Sequence, residues 1–109
     1  MKLSKEIIRG SFRLVILDAL SQSDEYGYSL AQIIRTRSEN LLKAGEGSLY
    51  PALYKLEGEG CITSYWDRSF KPGRKYYSIT SKGKKVLEEQ KGEWKRFMSV
   101  MDTYLKYQA

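Results

Sequence analysis

The chain has 109 residues, enough for one domain with a modest core, and a hydrophobic content of 41% supports a packed interior. With no His and a single Cys, it lacks the parts for His-based acid–base catalysis, for Ser-His or Cys-His nucleophile pairs, for a Cys/His zinc site and for an intrachain disulfide framework. An enzyme and a Cys/His metal site are therefore not expected, and no organic cofactor is implied. The net charge is +6, and its placement is more telling than its size. Between Arg68 and Lys85 lie Arg68, Lys71, Arg74, Lys75, Lys82, Lys84 and Lys85 without one acid, so the remainder of the chain is close to neutral. Such a segment suits a polyanionic partner, the alternative being a solvated basic surface. No apolar run approaches the roughly 20 residues of a membrane span. Leu14–Leu17 is also too short and interrupted for a secretory signal, so a soluble, cytoplasmic protein without membrane contact is expected.

In chain order, Lys5 to Ser21 places Ile8, Phe12, Val15, Ile16 and Leu20 at helical spacing. Leu14 and Leu17 widen the stripe until the middle of this helix is buried nearly all round. Ser21-Gln22-Ser23-Asp24 breaks it. A second helix is predicted from Tyr26 to Arg37 with Leu30, Ile33 and Ile34 inward and Asp24 as its cap. Ser38 to Gly47 reads as a turn with Leu41 and Leu42 tucked in. The third helix, Ser48 to Glu59, carries Leu49, Ala52, Leu53 and Leu56 on one face, with Pro51 in its first turn and Gly58 and Gly60 closing it. Cys61, after Gly60 at the start of an apolar run, reads as a small core residue rather than a redox-sensing thiol.

Two extended runs follow, Cys61–Trp66 and Lys75–Thr80, rich in β-formers and joined by a basic connection containing Pro72-Gly73, which predicts a hairpin. The last segment, Ser81 to about Gln108, is a long helix capped by Thr80 or Ser81. Leu87, Trp94 and Met101 recur every seven residues, as do Met98 and Leu105, with Phe97 and Tyr104 flanking them. A seam of that length with no other element left to cover it implies a partner helix, and hence a homodimer with Leu87, Trp94, Met98, Met101 and Leu105 at its interface. The alternative is packing on the chain's own first helix.

The expected fold is mainly α with a small β-hairpin, a winged helix-turn-helix plus a long C-terminal dimerisation helix. Residues 1–80 form the DNA-binding region and residues 81–109 the dimerisation helix, together one compact domain. In this arrangement the third helix lies in the major groove of double-stranded DNA and the hairpin tip reaches the adjacent backbone. The outward residues of the third helix are Ser48, Tyr50, Pro51, Tyr54 and Lys55. Their hydroxyls suit phosphates, and the Tyr and Pro rings suit a thymine methyl. For Tyr50 and Tyr54 the alternative is plain packing. The wing should present mobile cations, Arg68, Lys71, Arg74 and Lys75, each phosphate contact adding about 0.9 to the salt slope. Arg35 and Lys43 would extend the footprint.

Gly47-Ser48-Leu49-Tyr50-Pro51, then Leu56-Glu57 with Gly60 and Ile62, then Gly73-Arg74 with Tyr76, Tyr77, Thr80 and Gly83, resemble in order the three motifs of the PadR-like transcriptional regulators. Tyr26-Gly27-Tyr28-Ser29-Leu30 is similar to the Gly-Tyr element of that family's second helix, which adds Tyr28 to the DNA-binding set. The resemblance covers nearly the whole chain. It implies a homodimer whose C-terminal helix is swapped against the partner's N-terminal helix, and repression from a pseudo-palindromic operator. The single C-terminal helix is like that of the family's short subgroup, which often controls efflux pumps or stress genes. Some of those members bind flat aromatic drugs at the dimer centre on a Trp that Trp94 matches. If such a pore exists here, Phe12, Val15, Trp94, Phe97 and Met98 are its walls, although Lys91, one turn earlier, departs from an apolar lining. The alternative for Trp94 is dimer-core packing. For the whole chain the alternatives are a non-specific architectural nucleic-acid binder and a winged helix used for protein contacts.

Overall fold

The computed structural model describes residues 3–42 and 46–107, with elements in the order α1 (Lys5–Gln22), β1 (Glu25–Tyr26), α2 (Gly27–Arg37), α3 (Glu46–Gly58), β2 (Ile62–Asp67), β3 (Arg74–Ile79) and α4 (Ser81–Lys106). The mainly helical winged helix-turn-helix expected from the sequence is the fold observed. Ser4 caps α1 by accepting from the Ile7 amide, and the helix buries Phe12, Ile16, Leu17, Ala19 and Leu20. Leu30 and Ile34 of α2 and Leu49, Leu53 and Leu56 of α3 close on that face, with Cys61, Ile62, Tyr77 and Leu87 completing one core. The stripes of apolar residues at three- and four-residue spacing thus meet in a single interior.

Four local expectations are corrected. Asp24 does not cap α2: Tyr26 is the N-cap residue, its amide donates to Ser29 Oγ at 3.1 Å, and Asp24 instead accepts from the Tyr65 hydroxyl at 2.7 Å. Glu25 and Tyr26 are extended because they pair with Tyr77 and Tyr76, so the hairpin belongs to a three-stranded antiparallel sheet with β3 in the centre. Leu41 is exposed, and only Leu42 of that pair packs against the core. Helix α3 starts two residues before the expected Ser48, so Pro51 is its sixth residue, where the ring leaves one helical carbonyl without an amide partner.

The exit of α3 and the entry of α4 meet at one junction. Gly60, at φ 78°, ends α3 in the left-handed region. Its amide reaches the Glu57 carbonyl and that of Cys61 the Leu56 carbonyl, both at 3.0 Å, which is the paired bonding of a Schellman cap. Thr80 caps α4 by accepting from the Gly83 amide at 3.0 Å, while its own hydroxyl donates to the Gly60 carbonyl at 2.6 Å and its amide to the Cys61 carbonyl at 3.0 Å. A Cβ on Gly83 would lie 2.0 Å from that same Cys61 oxygen. The glycines and threonine of the second and third sequence motifs are therefore partners in space.

Beyond this junction α4 leaves the body of the molecule. Its 26 residues span about 39 Å at 1.5 Å per residue. Leu87 is 3% exposed within the chain's own core, so the heptad face open to a second chain begins at Trp94 rather than at Leu87. Lys91 is tied to Asp18 of α1 at 3.4 Å, and Asp18 also faces Arg37 of α2 at 3.9 Å. From Lys95 to Tyr107 every residue except Met101 is exposed.

Gly83→Ala forces its methyl against a backbone carbonyl that cannot swing away, and is expected to cost about 2–4 kcal/mol in urea unfolding at fixed chain concentration. Gly10→Ala, whose methyl meets nothing within 4 Å, is expected to raise stability by about 0.5–1 kcal/mol in the same assay.

Candidate nucleic-acid interface

Five side chains of α3 were expected to face DNA, and the structure sets them around a single exposed arc. Tyr50, Pro51, Tyr54 and Lys55 are exposed and Ser48 is half-buried. At 100° per residue Tyr54, which is 83% exposed, stands between two grooves. On one side Ser48, Pro51 and Lys55 line a groove with Arg9 and Arg13 of α1. On the other, Tyr50 lines a cleft of about 520 Å³ shared with Tyr28 of α2 and with Lys71, Arg74 and Lys75 of the wing. The cleft joins three separate stretches of the chain, which sequence spacing alone could not bring together. Arg35 lies on α2, and Lys43 falls outside the described residues.

The wing is more tightly built than a free cationic tip. The Arg74 guanidinium lies 3.7 Å from the Phe70 ring centroid and 4.5 Å from that of Tyr26, between the loop and the start of α2. Tyr76 stacks on Tyr65 with centroids 5.7 Å apart and meets Tyr26 at 5.5 Å. Contacts of this kind combine ring burial with cation–π attraction of about 0.5–2 kcal/mol each. At the start of the loop, Asp67 accepts from the Ser69 hydroxyl at 2.6 Å and its amide at 3.0 Å. These two bonds, and then the charge of Arg74, hold the Asp67 carboxyl below the usual carboxylate range. Their contribution is therefore fully present above the ordinary carboxylate range and is lost as pH falls through the lowered value. The hydrogen bond to Asp24 favours the protonated phenol of Tyr65 and raises its pKa.

Beneath the cleft, Glu57 of α3 accepts from the Ser64 hydroxyl of β2 at 2.6 Å. Tyr77, 6% exposed, has its phenol pushed up by burial and then by the neighbouring Glu57 and Tyr50. These contacts fix the angle between α3 and the sheet. Sequence reasoning did not pick out Tyr26, Trp66 and Phe70 for this region. For Trp66 and Phe70 the signal was the interleaving of aromatic and basic residues from Tyr65 to Lys75, a pattern shared with nucleic-acid-binding surfaces, whereas Tyr26 is brought to the wing by the pairing of β1 with β3.

The residues expected around an effector pore are divided in the single chain. Trp94 and Phe97 meet edge-to-face at 6.0 Å, and Trp94 and Met98 line an open groove with Leu14, Lys91 and Lys95. Phe12 is 2% exposed in the core, and Val15 opens on a separate pocket against Ile33 and Leu42 of the α1–α2 side. Lys91, the departure from an apolar lining, has its ammonium on Asp18. Among the described residues no group of His, Cys, Asp and Glu could hold a metal ion, and no helix is long and apolar enough to cross a membrane.

A three-helix core, a helix-turn-helix made by α2 and α3, and a basic two-stranded wing beside the exposed face of α3 define a winged helix-turn-helix DNA-binding protein. Comparison with known proteins takes this further. Residues 16–89 match the model of the transcriptional regulator PadR-like family. The fold is similar to that of a transcriptional regulator from Clostridium thermocellum, with a TM-score of 0.87 and 33% identity over 94% of this chain and 100% of that one. It is also similar to a PadR family transcription regulator from Clostridium difficile R20291, with a TM-score of 0.77 and 38% identity over 88% of this chain and 99% of that one. The transcriptional regulator YqjI of Escherichia coli is 35% identical over 82 residues, which are 75% of this chain and 38% of that protein's length. The chain belongs to the PadR-like family of DNA-binding transcriptional regulators.

The ring sandwich around Arg74 separates its packing from its charge. Arg74→Lys keeps the cation and loses the stack, so duplex affinity is expected to fall several-fold with the salt slope unchanged. Arg74→Ala loses both and is expected to lower the slope by about 0.9 as well. Fluorescence anisotropy of a labelled duplex across a salt series reads both quantities.

Proposed function

We propose that the protein is a homodimeric repressor that reads a pseudo-palindromic operator, with α3 of each protomer in the major groove and the wing on the flanking backbone. The observation that carries this reading is the uncovered apolar arc of α4. Phe97, Met98, Val100, Tyr104 and Leu105 are 48–73% exposed on a helix that leaves the body of the chain. Placed at 100° per residue, Tyr107, Val100, Tyr104, Phe97, Met101, Trp94, Leu105 and Met98 cover about half the helix circumference. That arc is wider than the seam of a two-stranded coiled coil and suits two neighbours. A second protomer supplies both, its own α4 and its α1, in the swapped arrangement that the family resemblance implies. Two-fold symmetry of the protein then demands two half-sites.

Within that dimer Tyr28, Ser48, Tyr50, Pro51, Tyr54 and Lys55 are the groove and phosphate contacts of the helices, and Lys71, Arg74 and Lys75 those of the wing. Efflux or stress genes are the targets that the short subgroup suggests. Trp94, with Phe97 and Met98 beside it, is the platform for a flat aromatic effector, and a second chain would have to close the open groove into a pore. The ion pair of Lys91 with Asp18 favours this reading, because it withdraws the ammonium toward α1.

Selection of duplexes from a random library at near-physiological salt tests the operator. Enrichment of a two-fold symmetric sequence with half-sites about one helical turn apart supports the repressor. Retention of DNA without enrichment favours a non-specific architectural binder, and no retention a protein partner. Met98→Glu with Leu105→Glu is expected to yield monomers in sedimentation and to weaken binding to the two-half-site operator by about 10²-fold or more, leaving a single half-site nearly unaffected. Dimers persisting in this variant would remove α4 as the interface.

A further inference from the structure

Trp66 has no part in the contacts assigned so far, yet its position is unusual. Along β2 it shares a face with Ile62 and Ser64 and is paired with Lys75, whose face continues through Tyr77. Ile62 and Tyr77 at the base of that row are 2% and 6% exposed, whereas the Trp66 ring at the far end is 55% exposed. The indole is therefore not a core residue. It opens on the cleft between the wing and α3, where the other exposed rings are Tyr28, Tyr50 and Phe70. The cleft also holds Lys71, Lys75 and Arg74, the last sandwiched by Phe70 and Tyr26, and the Arg68 guanidinium carbon lies 5.4 Å from the indole centroid. The nearest acid along the strand, Asp67, is already engaged by Ser69.

Rings and cations lining one cleft match a deoxyribose–phosphate strand, which presents an anionic oxygen and an apolar sugar face in turn. A small anion would use the cations and leave the rings wet, and an apolar peptide would use the rings and strand the cations. We propose that Trp66 is a DNA-contacting residue, packing its ring on the sugars of one backbone strand that enters the cleft between the wing and α3, with Lys75 on the adjacent phosphate. This rests on the assignment of α3 and the wing to the DNA surface. Phosphate contacts alone would set affinity without shape, whereas an indole on the sugar face fixes where the strand lies relative to Tyr50.

The chain has only two tryptophans, Trp66 and Trp94, so Trp94→Phe makes Trp66 the sole indole reporter. The probe is a mixed-sequence duplex about three helical turns long at low salt, with binding followed independently by anisotropy of a label on the DNA. Acrylamide quenching of Trp66 is expected to fall at least about twofold on saturation, as for a ring half in water that becomes covered. Inorganic polyphosphate, a polyanion without sugars, is expected to bind and to leave Trp66 open. If Trp94→Phe does not fold as the natural chain does, the same signal is read as the difference between the natural chain and Trp66→Phe. Trp66→Ala is expected to weaken duplex binding by about tenfold, in the range of a Trp at an interface centre, with the salt slope unchanged. Duplex binding with Trp66 still fully quenchable, or equal shielding by polyphosphate, would overturn the Trp66 contact and leave the wing assignment standing. No duplex binding by the natural chain would overturn both.

Discussion

The geometry of this protein depends on two carbonyl groups, those of Gly60 and Cys61. They lie between the end of α3 and the start of the wing, and Thr80 binds both while capping α4 with the same hydroxyl. A positive φ at Gly60 turns the chain out of α3, and the bare face of Gly83 lets α4 start against the Cys61 oxygen. One small joint therefore sets three directions at once, those of the α3 axis, the root of the hairpin and the departure of the long helix. A shift of a few tenths of an ångström there would be magnified along the roughly 39 Å of α4. It would also change the angle at which α3 is presented beside the wing.

The wing is held by a second device. Rather than extending freely, its tip folds back so that Phe70, Arg74 and Tyr26 form a sandwich, while Tyr65 reaches across to Asp24. Both contacts join the hairpin to the turn that precedes α2. The helix-turn-helix and the wing therefore move as a unit at the level of their shared edge, β1 against β3. The wing from Asp67 to Lys75 carries four cations against one acid, half of the net charge of +6, and the rings fix where that charge is displayed. Fixed placement of a few cations beside a helix discriminates between backbone shapes more sharply than the same number on a loose arm.

The long helix is the counterpart of these rigid parts. It contributes only Gly83 and Leu87 to the interior. The Lys91–Asp18–Arg37 cluster is a further polar link from α4 to α1 and α2. Exposed ion pairs of this kind contribute about 0–1 kcal/mol. The body of the chain and the distal half of α4 are thus joined by few contacts of modest strength.

The sequence by itself determined the helices, because each carries an apolar stripe whose three- and four-residue period is visible in a single segment. It determined the hairpin, because two runs of β-formers flank a Pro-Gly connection. Its motifs also placed the chain in its family. Tertiary structure alone decided the rest. A two-residue strand such as β1 has no periodicity and exists only because β3 offers it an edge. Asp24 reads locally as a cap, yet Tyr65, 41 residues away, takes its carboxylate. Leu87 obeys the same heptad as Trp94 and Met101, but the junction at Thr80 directs it into the core and leaves the others outside. The family resemblance groups Phe12 and Val15 with Trp94, whereas within the single chain Phe12 lies in the core, Val15 opens toward Ile33 and Leu42, and Trp94 lines a groove with Leu14. Spacing along one element reports which residues share a face, but not what that face meets, because the partner is chosen by contacts between segments distant in the chain.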